Sequence, residues 1–110
     1  TNPAANAFAE GFKAWLKEDS ARLTDNSNSE EISAVTACGY DAYMAIYYAL
    51  DKAQSTDGAT LRDALAALDV PGLVTGDLKF DENGDAIKSY AIIKTATTEG
   101  FVFADSVAIE

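Results

Sequence analysis

Between Ile32 and Leu50 the chain reads ISAVTACGYDAYMAIYYAL, nineteen residues with a single charge, Asp41. Its length approaches the ~20 apolar residues that span a bilayer. Asp41 at its centre costs roughly 2.5–3.5 kcal/mol on membrane insertion, and Thr36, Gly39 and four tyrosines add polarity. The stretch therefore reads as a buried helix of a soluble fold, over about 30–53. Val35, Tyr43, Ile46 and Leu50 recur at helical spacings and give a bulky face. Ala34, Cys38, Ala42, Ala45, Ala49 and Ala53 give a small-residue face that lets a neighbour approach closely. Such a helix is expected to be sandwiched between neighbours. Ser29 is the expected N-cap, with Glu30 and Glu31 in the first turn, where the helix dipole favours them.

The flanking segments supply partners for it. Phe8, Phe12, Trp15 and Leu16 fall at i, i+4, i+7 and i+8, which predicts an amphipathic helix over about 4–18, with Pro3 suited to its first turn. This aromatic stripe is expected to be core. Ser20–Ser29 reads as a polar loop. Thr56 or Asp57 is expected to cap a third helix, about 58–68, buried through Leu61, Ala64, Leu65 and Leu68, and Val70-Pro71-Gly72 to end it. Strand character follows over about 74–80, 90–95 and 101–104, with a possible continuation over Val107–Ile109. The Asn83-Gly84 pair inside Asp81–Asp85 is a tight-turn signal. The expected fold class is α/β: three helices followed by a β-meander.

Composition narrows the function. Eight basic and eighteen acidic residues leave a net charge of −10, so long-range repulsion argues against nucleic acid or an anionic membrane as partner. There is no histidine, the commonest general base and metal ligand, and one cysteine, so no internal disulfide can form. Cys38 lacks the base a nucleophile needs and is expected to be a small buried thiol. Asp81-x-Asn83-x-Asp85 matches the first ligand positions of a calcium loop. Ala86 and Ile92 stand where that loop needs Gly and Glu, so a hairpin turn is expected instead. No Gly-rich phosphate loop follows a strand. These readings point away from an enzyme and call for no cofactor. Asp41 stands out, because a lone carboxylate in an apolar helix needs a partner or a ligand. The chain opens Thr-Asn-Pro without a signal-peptide pattern, which fits a processed or truncated product.

An ordered series of motifs carries a resemblance over nearly the whole chain. It comprises Gly39-Tyr40-Asp41-Ala42, Ala49-Leu50-Asp51-Lys52-Ala53, Ser55-Thr56-Asp57-Gly58, Leu61-Arg62-Asp63-Ala64-Leu65 and the tail from Gly72 to Asp85. Together these resemble the carboxyl-terminal part of type I periplasmic solute-binding proteins, most of all the branched-chain amino acid binding subunits of ABC importers. The resemblance implies two α/β lobes joined by a hinge, with the ligand between them. The helices would belong to the amino-terminal lobe, and the chain would cross to the other lobe between about Ala86 and Tyr90. It further implies that the start of the central helix faces the cleft, so that Val35, Ala37, Tyr40 and Asp41 are the candidate ligand-binding residues. Val35 takes the place of an aromatic there, and Asp41 belongs to a recurring Tyr-Asp-Ala triplet with an orienting role. The implied partners are a small amino acid ligand, an ABC permease and the remainder of a longer parent chain, in a periplasmic or extracellular location. A binder of another small ligand, such as an amide, a urea-like compound or an aromatic acid, and a self-contained interaction module are the alternatives. The isolated chain is expected to expose an apolar face and to dimerise through it.

Overall fold

A computed structural model describes residues 2–109. Four helices, α1 (Pro3–Lys17), α2 (Ser20–Asp25), α3 (Ala34–Ala53) and α4 (Gly58–Ala66), precede five strands. These are β1 (Asp69–Leu73), β2 (Gly76–Phe80), β3 (Ala86–Ile87), β4 (Tyr90–Thr97) and β5 (Gly100–Ala108). The mixed α/β class is as expected. The strands, however, form two antiparallel sheets rather than one meander: β1-β2-β3, and a separate β4-β5 hairpin.

Local chemistry accounts for the element ends. Asn2 caps α1 by accepting from the Ala4 and Ala5 amides, and its own amide donates to the Leu73 carbonyl at 2.7 Å, tying α1 to β1. The Ser20–Ser29 stretch is not all loop: Asp19 accepts from the Ala21 amide and starts α2. Arg22 then stacks its guanidinium over the Trp15 ring, 4.6 Å from the centroid, and pairs with Glu18 at 2.8 Å. The central helix begins four residues later than expected. Ser33, not Ser29, is its N-cap, accepting from the Thr36 amide at 3.1 Å. Residues 29–33 stay outside the helix, where the Asn26 side chain donates to the Ser29 and Glu31 carbonyls. Asp57 caps α4 through the Thr60 amide and hydroxyl.

Pro71 and Gly72 do not end a helix; they lie inside β1. The register against β2 shifts between Val70 and Leu73, and Gly72 sits at φ 69° in that irregularity, a backbone state that costs a glycine little. Val74 and Thr75 form the β1–β2 turn rather than the start of a strand. The Asp81–Asp85 hairpin turn forms as expected and pairs β2 with β3. The Asp81 carboxylate accepts from the Asn83 and Asp85 amides at 2.8 and 2.9 Å.

The core lies between one face of α3, α4 and the β1–β2 pair. Ala45, Ala49, Leu68, Leu73 and Leu78 are buried there, with Met44, Tyr48, Leu61, Leu65 and Phe80 packed around them. The alanines of α3 let α4 and the sheet come close, as the small-residue stripe implies. Beyond that side, α3 is covered only where Tyr40 packs on Phe8 of α1. Val35, Tyr43, Ile46, Tyr47 and Leu50 remain exposed, so it is not sandwiched. Cys38 is exposed as well, because the sheet meets the stripe at Ala45 and Ala49 and leaves its first turns open. Of the aromatic stripe of α1, only Leu16 is fully buried, and Trp15 remains 45% exposed.

The β4–β5 hairpin stands apart from this core. Its Tyr90, Ile92, Ile93, Phe101, Val102, Phe103 and Val107 are all exposed. The Cα radius of gyration is 16.5 Å, against about 13 Å for a compact chain of this length.

Candidate functional site

The start of α3 is where the candidate residues converge. Val35 lies in the first turn and is 79% exposed, continuous with the open face of Tyr43, Ile46 and Leu50. Ala37, Tyr40 and Asp41 follow at i, i+3 and i+4, so they share a different face, about 140° round the helix from Val35 for Tyr40. Tyr40 packs its ring on Phe8 of α1, with centroids 4.8 Å apart. It forms one wall of an open apolar groove of about 730 Å³ between α1 and α3, bounded by Phe8, Phe12, Trp15, Met44 and Leu73. The structure thus turns Tyr40 toward the α1 groove and Asp41 toward the β1–β2 turn, and leaves Val35 on a separate, exposed surface.

Asp41 is buried, at 4% exposure. One oxygen accepts from the Val74 amide at 3.0 Å; the other accepts from the Thr75 amide at 2.7 Å and the Thr75 hydroxyl at 2.6 Å. Both oxygens are therefore engaged by the β1–β2 turn. Among the described residues no Lys or Arg pairs with Asp41 directly. Backbone and hydroxyl donors satisfy its charge in the way a buried carboxylate requires.

Two residues absent from the sequence reading complete this region. The Thr75 hydroxyl, which donates to Asp41, also accepts from the Lys88 ammonium at 2.7 Å. Lys88 and Ser89 are the two residues between β3 and β4. A small cleft of about 130 Å³ opens beside them, lined by Thr75, Gly76, Asp77, Lys88, Ser89 and Tyr90. No local pattern marks Thr75 or Lys88, because their partners lie 34 and 13 residues away along the chain.

The remaining candidates have structural explanations. The Asp81 carboxyl is held below its ordinary range by the Asp85 amide, and Asp57 likewise by the Thr60 amide. Both carboxylates serve a turn or a cap. Among the described residues no three His, Cys, Asp or Glu side chains are placed to hold a metal, and no helix is long and apolar enough to cross a membrane.

The family described as receptor family ligand binding region matches residues 1–98, and the chain belongs to it. Among solved structures, the chain is similar to a leucine binding protein, LivK, from Thermotoga maritima. The two are 26% identical with a TM-score of 0.74, over 98% of this chain and 27% of that one. The chain thus spans about a quarter of the length of that relative. No curated protein sequence matches it.

Proposed function

We propose that this chain is the carboxyl-terminal part of the extracytoplasmic substrate-binding component of an ABC importer, taking a branched-chain or related amino acid between two lobes. The observation that carries the reading is the likeness to a leucine binding protein over almost the whole chain, joined to the parting of two sheets at Lys88-Ser89. In this reading residues 2–87 belong to one lobe and the β4–β5 hairpin to the other. Val35, exposed in the first turn of α3, meets the ligand, with Ala37 and Tyr40 beside it on the neighbouring face. Asp41, with both oxygens taken by the turn, contributes by holding Val74 and Thr75 in place behind them. The uncovered face of α3 and both faces of the hairpin receive the rest of the parent chain, and a permease takes the delivered ligand. Binding between lobes needs fit and closure but no bond chemistry, so no catalytic residue or cofactor enters.

Calorimetric titration of the full-length protein with leucine, isoleucine, valine and a panel of other amino acids tests this. The expected result is saturable binding of a branched-chain amino acid, altered by Val35→Phe. A well-folded protein that binds none of the panel overturns the ligand assignment.

A further inference from the structure

The proposed function leaves one polar group unused, the Lys88 ammonium. Eight basic residues face eighteen acidic ones in this chain, yet Lys88 contacts a hydroxyl. Its bond to Thr75 is, among the described residues, the only hydrogen bond joining residues 88–109 to residues 2–87. The polarity of the relay is fixed. An ammonium can only donate, so the Thr75 lone pair faces Lys88 and its single proton goes to Asp41 Oδ2, at 2.6 Å. Asp41 in turn is rooted in the middle of α3 and buried. On the other side of the crossing, the Ser89 carbonyl accepts from the Ile109 amide at 2.9 Å, closing the base of the hairpin. Adjacent residues are thus tied in opposite directions, Lys88 to the α3 side and Ser89 to the hairpin.

We propose that Lys88, Thr75 and Asp41 form a latch that sets the resting angle of the β4–β5 hairpin relative to α3, with Lys88 and Thr75 acting as positioning residues. Rotation about residues 88–89 pulls the ammonium from the Thr75 hydroxyl and releases the hydrogen bond that, among the described residues, ties the hairpin to the α3 side. That the angle governs ligand affinity rests on the two-lobe reading above; the latch itself does not. The chemistry needs a cation that reaches a hydroxyl, so arginine can replace Lys88 and methionine cannot.

The test uses the full-length protein with Cys38→Ser, carrying spin labels at Asp51→Cys, at the far end of α3, and Glu99→Cys, at the hairpin tip. Pulsed electron paramagnetic resonance then reads the distance between them without ligand. One narrow distance distribution is expected with Lys88 in place, a broadened or displaced one for Lys88→Met and Thr75→Val, and recovery for Lys88→Arg. Leucine affinity, by calorimetry, should change roughly three- to tenfold in Lys88→Met, the scale of one hydrogen bond, and return in Lys88→Arg. A folded Lys88→Met protein with an unchanged distribution overturns the latch, and this arm stands even if Thr75→Val fails to fold. Equal broadening in Lys88→Met and Lys88→Arg also overturns it. A protein that binds no amino acid but still broadens on Lys88→Met refutes the ligand assignment and supports the latch.

Discussion

Replacing Asp41 with alanine removes the acceptor for three donors at once. Hydrogen bonds to a charged group contribute about 1.5–3 kcal/mol each, so a simple sum gives more than about 4.5 kcal/mol. Two effects reduce it. Val74 and Thr75 are only half-buried, so water reaches the freed donors, and a buried charge no longer has to be kept from solvent. The expected net loss is about 3 kcal/mol. With an m-value of about 2 kcal/mol per molar in urea, the midpoint falls by about 1.5 M. Asparagine keeps one acceptor, best placed for the two Thr75 donors, but turns an NH2 group toward the Val74 amide, so Asp41→Asn should lose about 2 kcal/mol, and Thr75→Val, which drops the hydroxyl alone, about 1 kcal/mol. Far-UV circular dichroism and the fluorescence of the single tryptophan, Trp15, should trace one transition if unfolding is cooperative. The reasoning fails if Asp41→Ala shifts the midpoint by less than about 0.5 M, or if Thr75→Val costs as much as Asp41→Ala.

Three further expectations follow from the packing and the charges. Ala49 is fully buried where α3 meets the core, so Ala49→Leu should destabilise by about 1–3 kcal/mol through overpacking; a neutral result in urea denaturation would place a void there. The open face of α3 should make the isolated chain self-associate and bind a hydrophobic dye, and Tyr43→Lys with Ile46→Lys should reduce both in light scattering and fluorescence without lowering the urea midpoint. Asp57 and Asp81 titrate below the ordinary value of 3.8, held down first by the Thr60 and Asp85 amides. Their contribution to stability is therefore complete above that value and is lost as pH falls through the lower folded values; carboxyl-carbon NMR midpoints at or above the ordinary value would contradict this.

Much of the helical layer is legible in the sequence because its signals are local. The i, i+4, i+7 spacing of Phe8, Phe12 and Trp15 marks α1, and the alanine repeat from Ala45 to Ala53 marks the side of α3 that is buried. Asn83-Gly84 marks the turn of the β2–β3 hairpin. What local sequence leaves hidden has a physical cause in each case. Ser29-Glu30-Glu31 has the composition of a helix start, but Asn26 directs its side-chain amide to the carbonyls of residues 29 and 31 and holds that segment outside the helix. The pairing of Ser33 with Thr36 was the better signal. β1 was hidden because Pro71 and Gly72 usually interrupt regular structure, and here a register shift at a sheet edge accommodates them. Asp41 drew notice as an isolated charge, yet its partners at Val74 and Thr75 are more than thirty residues away, and tertiary folding alone brings them together. The exposed Cys38 has a similar origin, since no periodicity tells how far along α3 the sheet extends.

The detached hairpin has a consequence for how the chain behaves in concentrated solution. A ribbon of two strands has two open edges, and each edge offers amides and carbonyls with no partner on its outer side. Gly100 to Ala104 carries no charge, and β4 carries only Lys94. Strands of this composition, uncovered on both faces, are templates on which further strands add. When copies of the chain crowd together, the first ordered aggregate should be a stack of β4–β5 ribbons. The α3–α4–β1–β2 core should hang from that stack still folded, so that fibril growth and loss of the native core are separate events.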